Sequence, residues 1–268
     1  MLSNTSRSLT YLNATLYAIL GALLFFLPEQ LAPVFAWKVT AFMTMTIGGW
    51  CLGNAWLAFF IARRWRWDLV YPSLFYLWLF GFGEVLIVYL FRGKLALDHW
   101  IAWLYLSTLV VNVLTALVGM FDMFRSPLIS DSSSAKTSGI QYALLLSFIV
   151  AVGFIGFYGL SAKQGDLGTN GGIFPEIMSP FTLRSFGAFY AALSVSVIPL
   201  LWKRNLKAYL SHGFVSYGLI IFITAAAIVY LRLFDFAARL GGLLYFGLYL
   251  AVAIVFLFNF KKYGTGTR

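Results

Sequence analysis

Apolar residues in this chain do not alternate with polar ones; they run on for a helix length at a time. Eight stretches stand out: Leu9–Leu27, Val39–Ile61, Leu69–Phe91, Trp100–Phe121, Ile140–Leu160, Ser185–Trp202, Ala208–Leu231 and Gly241–Phe260. As helices rising 1.5 Å per residue they reach roughly 27–36 Å, enough to cross a hydrocarbon core of about 30 Å. Barrel strands would instead show ~10-residue segments of period two. The pattern therefore predicts an all-α integral membrane protein with eight transmembrane helices. The segments between the runs are short, leaving no length for a water-soluble domain.

The interruptions repeat. Pro28-Glu29-Gln30-Leu31-Ala32-Pro33 follows the first run, and Pro175-Glu176-Ile177-Met178-Ser179-Pro180 precedes the sixth. Each comes after a phenylalanine (Phe26, Phe174) and before a cation, Lys38 or Arg184, at the next run. Arg63-Arg64 matches Lys203-Arg204 and Arg92 matches Arg232 at an offset of 140, and Gly49-xxx-Gly53 matches Ala188-xxx-Ala192 at 139. Four helices per unit is an even number, so the units share orientation and their axis lies along the membrane normal. The expected organisation is two parallel four-helix repeats, residues 1–125 and 140–268, joined by a Ser-rich cytoplasmic linker at 126–139.

A helix ending in Phe-Leu-Pro-Glu, then a short outer segment and a small-residue helix closing on Arg-Arg, resembles the DoxX-like four-helix membrane family. The matching residues are Pro28, Glu29 and Arg64, then Pro175, Glu176 and Arg204. The resemblance implies a four-helix unit occurring twice, over Leu9–Arg125 and Ile140–Lys262. That family is functionally diverse, and some of its members are similar to small subunits of quinol-linked oxidoreductase complexes.

Composition sharpens the class. The chain is 61% hydrophobic and 10% charged, against about 25% charged residues in a soluble domain, which excludes a soluble enzyme and a disordered regulator. The formal net charge of +10 suggests nucleic acid until it is sorted by side: twelve of the nineteen Lys and Arg fall on the face that carries the termini. The positive-inside rule places both termini in the cytoplasm, and the basic excess meets anionic lipid rather than nucleic acid. The first run is longer than the apolar core of a signal peptide and is expected to remain as a helix.

Candidate chemistry is sparse. His99 and His212 fall near opposite membrane faces and cannot share a metal or haem; no metal set and no nucleophile motif is present. One histidine alone suffices for a pigment such as bacteriochlorophyll, but a hydrogen-bonded histidine is the simpler expectation. The Gly168–Gly172 stretch lacks the context of a phosphate loop. Cys51 reads as a small packing residue.

Glu84, in Phe80-Gly81-Phe82-Gly83-Glu84, lies roughly 10 Å below the outer interface, where an unpaired charge costs several kcal/mol. It is a candidate proton, cation or ligand site; the simpler expectation is interhelical glue, bonded to Asn54, Asn112 or a backbone carbonyl. Its counterpart at an offset of 140 is Thr224. Glu29 and Glu176, with Arg184, form a second candidate set that either frames a solute entrance or anchors helix ends at the headgroup layer. Trp37, Trp65, Trp67, Trp100 and Trp103 suggest aromatic belts, and Asp122/Arg125 a surface ion pair. Small-residue pairs at Gly49/Gly53, Ala188/Ala192 and Gly247/Ala251 suggest close helix crossings. Aromatic residues within the runs, Phe80, Phe82, Phe154, Phe157, Phe181 and Phe189, suit lipid first and a quinone or pigment second.

The cofactor is left open by this pattern. The function expected is a non-catalytic integral subunit or scaffold of a larger membrane complex, in contact with the bilayer and other membrane subunits. A small-solute, lipid or proton-linked carrier is the alternative.

Overall fold

The computed structural model describes residues 2–125, 135–163, 173, 176, 178–237 and 240–264. It contains eight helices long and apolar enough to cross a membrane: α1 Asn4–Phe26, α2 Ala41–Arg64, α3 Trp67–Leu90, α4 Trp100–Arg125, α5 Gly139–Ser161, α6 Pro180–Val197, α7 Leu206–Val229 and α8 Gly241–Tyr263. No strand occurs among the described residues, only an isolated bridge between Lys136 and Asn205.

Capping residues set the ends. Ser3, Thr40, Ser138, Ser179 and Asn205 each accept, through a side-chain oxygen, the backbone N–H three residues on. These caps satisfy donors that hydrocarbon cannot. They start α1 at Asn4 and α6 at Pro180, each five residues before its apolar run. α6 also stops early. Pro199 has no N–H, the chain tightens there into an Ile198-to-Val195 bond, and Pro199–Lys203 forms a separate turn of helix.

α2 and α3 from the first half and α6 and α7 from the second make the centre, with α2 packed on α7, α3 on α6, and α3 on α7. α1 covers α2, α5 covers α6, and α4 packs on α1 and α3. α8 lies along α7 and buries only Gly242, Tyr245 and Asn259. Gly53 permits the α2–α7 crossing: a Cβ there would stand 2.7 Å from the Leu219 Cα. At Gly247, by contrast, an added Cβ would meet nothing within 4 Å, so the Gly247/Ala251 pair does not mark a crossing.

At the centre the helix ends fall in register 139 residues apart, whereas the ends of α1 and α5 are 135 apart. α3 and α7 coincide at both ends, as do the short turns Arg92–Lys94 and Leu231–Leu233 that follow them, and the N-caps Thr40 and Ser179. Contacts between the halves keep the same register. Phe42 meets Tyr230 edge-on while Phe91 stacks on Phe181, two reciprocal pairs. Trp50 stacks on Phe189 at 4.8 Å, and Ser73 Oγ lies 2.8 Å from His212 Nδ1; each of these residues touches the one 139 positions away. In this register Glu84 corresponds to the apolar Ile223 rather than to Thr224.

Most of the linker, 126–134, and Gly168–Gly172, Phe174, Pro175 and Arg239 lie outside the described residues.

Candidate functional site

Glu84 sits on α3 among hydroxyl donors. Its Oε1 accepts from the Tyr105 hydroxyl at 2.7 Å and the Ser185 hydroxyl at 2.8 Å, so one carboxylate ties α3 to α4 and α6. The side chain is 3% exposed. The expected partners, Asn54 and Asn112, are occupied elsewhere. Asn54 Oδ1 accepts from the Tyr76 hydroxyl at 2.7 Å. Asn112 spans three groups: its Nδ2 donates to the Tyr17 hydroxyl and the Leu77 carbonyl, and its Oδ1 accepts from Asn13. The reason is depth. Tyr105 is five residues past the start of α4 and Glu84 six before the end of α3, whereas Asn112 is almost two turns further along α4. Gly81 makes room for Asn112, whose Nδ2 would stand 2.7 Å from a Cβ at that position.

The two sets meet at a small chamber of about 20 Å³ lined by Tyr17, Trp50, Cys51, Asn54, Glu84 and Tyr105 among others. Glu84 Oε2, Asn54 Nδ2 and Trp50 Nε1 have no hydrogen-bond partner among the described residues. This is room for a single water, with two donors and one acceptor to hold it. Neither Glu29 nor Glu176 lines the chamber, and Cys51 is a buried packing residue on its wall.

The second candidate set bridges the two halves of the chain, and the charges of both Glu29 and Glu176 act on Tyr230. Glu29, exposed in the short turn Pro28–Leu31, accepts from the Tyr230 hydroxyl at 2.9 Å, and Glu176 accepts from the Thr40 hydroxyl. Each carboxylate thus fastens one half of the chain to the other at a helix end. Burial, helped by the bond to Glu29 and its charge, pushes the Tyr230 phenol up to about 12. Arg184 turns away from both carboxylates and donates to the Leu160 and Ala162 carbonyls, closing the end of α5.

Other expectations are corrected. Asp122 does not pair with Arg125; it accepts from the Ser3 backbone and hydroxyl, and Arg125 lies over the Phe121 ring. Trp37 is no belt residue. It is 3% exposed, stacks on Phe181 at 4.3 Å and donates to Thr182, because the segment after α1 folds inward. Trp100 and Trp103 are exposed as a belt requires. Of the helix aromatics, Phe80, Phe181 and Phe189 are core, while Phe82, Phe154 and Phe157 face outward.

Sequence reasoning missed the partners Tyr105, Ser185 and Ser73. Matching polar residues by depth from their helix ends, rather than by chemical type, would have found Tyr105. His212 is buried and hydrogen-bonded, as the simpler expectation held, and His99 is exposed.

A larger cavity of about 260 Å³ opens in the second half, lined by residues of α5, α6, α7 and α8. In the first half, α1 and α4 pack on each other at the corresponding place. The chain matches no family model, no curated protein and no solved structure.

Proposed function

We propose that the chain is a non-catalytic integral subunit or scaffold of a larger membrane assembly, built from two duplicated four-helix units, with both termini cytoplasmic. The observation that carries this reading is the contrast between a sealed polar centre and an uncovered flank. Glu84 is closed off by Tyr105, Ser185 and a chamber the size of one water, which is unlike a transport path. α8 leaves Leu243, Leu244, Leu250, Ile254, Leu257 and Phe258 all more than half exposed, and α5 does the same with Ile140, Val150, Phe154 and Phe157. Such a face suits other membrane subunits, with lipid, quinone or pigment filling the contact. The duplication is supported by the shared register of 139 and the reciprocal ring pairs.

Purification in mild detergent, followed by native mass spectrometry, tests the assembly: stoichiometric co-purifying membrane subunits are expected. A chain isolated alone that drives solute flux in vesicles, with flux lost in Glu84→Gln, would establish the carrier instead. A reporter fused after Lys262 should be active only in the cytoplasm.

A further inference from the structure

The 260 Å³ cavity shares no residue with the Glu84 chamber. Its wall is almost wholly hydrocarbon, from side chains such as Phe148, Val152, Leu219, Val252 and Phe256. Ser147, Tyr190, Tyr209 and Tyr249 add hydroxyls to the lining, and one polar chain runs into it from α3. His212 and Ser216 line the cavity one turn apart on α7, and Ser73 on α3 stands behind His212. Ser73 Oγ is 2.8 Å from Nδ1 and Ser216 Oγ is 3.4 Å from Nε2, with the three residues 1%, 6% and 7% exposed for Ser73, His212 and Ser216 respectively.

Counting protons gives the chain a direction. A neutral imidazole has one N–H and one acceptor nitrogen, and each hydroxyl has one proton to give. If Ser73 donates to Nδ1, then Nε2–H points at Ser216 and the unspent proton is the Ser216 hydroxyl's, facing the cavity. In the reverse order the unspent proton would be Ser73's. Ser73 does not line the cavity and has no other hydrogen bond among the described residues, so that order strands a buried donor. The first order holds. The 3.4 Å step is long for an N–H···O bond, so the His212 N–H is also only loosely engaged.

At the Ser216–His212 pair the cavity thus presents a donor, which a hydrogen-bond acceptor on an apolar body would meet. We propose that the cavity binds a carbonyl-bearing lipophile, a prenylquinone or an acyl lipid, whose carbonyl oxygen accepts from the Ser216–His212 pair. The volume holds a ring or a length of chain, and the rest of the tail runs out between α5 and α8, which meet through the Gln141–Asn259 bond at one end. The Tyr190 and Tyr249 hydroxyls, bonded at 2.9 Å, brace α6 against α8 at the opposite wall. The site belongs to this chain alone and stands whether or not the chain is a subunit.

The test is equilibrium binding to the full-length protein in detergent, with three probes: decylubiquinone, palmitic acid, and hexadecane as a tail without an acceptor. Saturable one-to-one binding of at least one carbonyl probe is expected, with hexadecane at least tenfold weaker; the tighter carbonyl probe identifies the source. Ser216→Ala and His212→Leu should each weaken binding about tenfold, and Ala151→Trp, which fills the mouth without touching the polar chain, should abolish it. Thermal unfolding of each variant reports whether it is folded, and Ser216→Ala and Ala151→Trp carry the test if His212→Leu is not. Hexadecane binding as tightly as the carbonyl probes, equal binding by folded Ser216→Ala, or no saturable binding by the folded wild type would overturn the proposal.

Discussion

At Glu84 a carboxylate buried in a membrane-length helix is kept by two hydroxyls rather than by a counter-charge. Gln offers a carbonyl in the same place, so Glu84→Gln should cost less than about 1 kcal/mol, while Glu84→Leu should cost about 1–3 kcal/mol for each hydroxyl left without an acceptor. Unfolding in detergent measures both; equal losses would mean that the carboxylate's charge matters and not its shape. Tyr230 makes a second prediction. Its phenol, raised to about 12 by burial and Glu29, binds its proton more tightly folded than unfolded, where the ordinary value is about 10. Stability should therefore be held below pH 10 and lost as pH rises towards 12, and Tyr230→Phe should flatten that part of the profile. The singularity of Glu84 was legible in the sequence, because one acid in a long apolar run is conspicuous. Its partners were not: Ser185 lies a hundred residues away, on a helix whose adjacency to α3 no local pattern encodes.

At the level of helices, apolar runs located all eight elements, and the errors sit at the ends, where the Ser3 and Ser179 caps extend α1 and α6 into polar sequence. Small-residue spacing was a weaker guide, since it marks a face without saying whether anything covers it. Gly53 and Gly247 separate the cases. Gly53→Val should destabilise by about 1–3 kcal/mol or more, because its Cβ would press on the Leu219 backbone, whereas Gly247→Ala should be neutral or slightly stabilising. Paired thermal scans decide it; a harmless Gly53→Val would mean that the α2–α7 crossing is looser than described. Trp37 shows the same limit: the sequence put it at the end of a run, and only the inward fold of the segment after α1 made it core.

For the whole molecule, the most extensive contacts between halves involve four central helices, while α1 with α2 and α5 with α6 hold each half internally. Residues 1–134 and 135–268, expressed as separate chains in one cell, should therefore associate and co-purify through a tag on either piece. Recovery of each piece alone would show that the covalent linker is needed. Helix count could be read from the chain; the pairing of α2 with α7 and α3 with α6 could not, because it depends on contacts more than a hundred residues apart.

Where Trp50 meets Phe189 and Ser73 meets His212, each residue faces its own counterpart in the proposed second unit. Two identical units would be obliged to set indole against indole and imidazole against imidazole. Under the proposed duplication, joining the units in one chain lifts that obligation and lets the pairs be unlike: a donor hydroxyl opposite an acceptor nitrogen, a large ring opposite a smaller one. The halves are thus complementary rather than interchangeable, and a pairing of two copies of either one would lose the match at the centre.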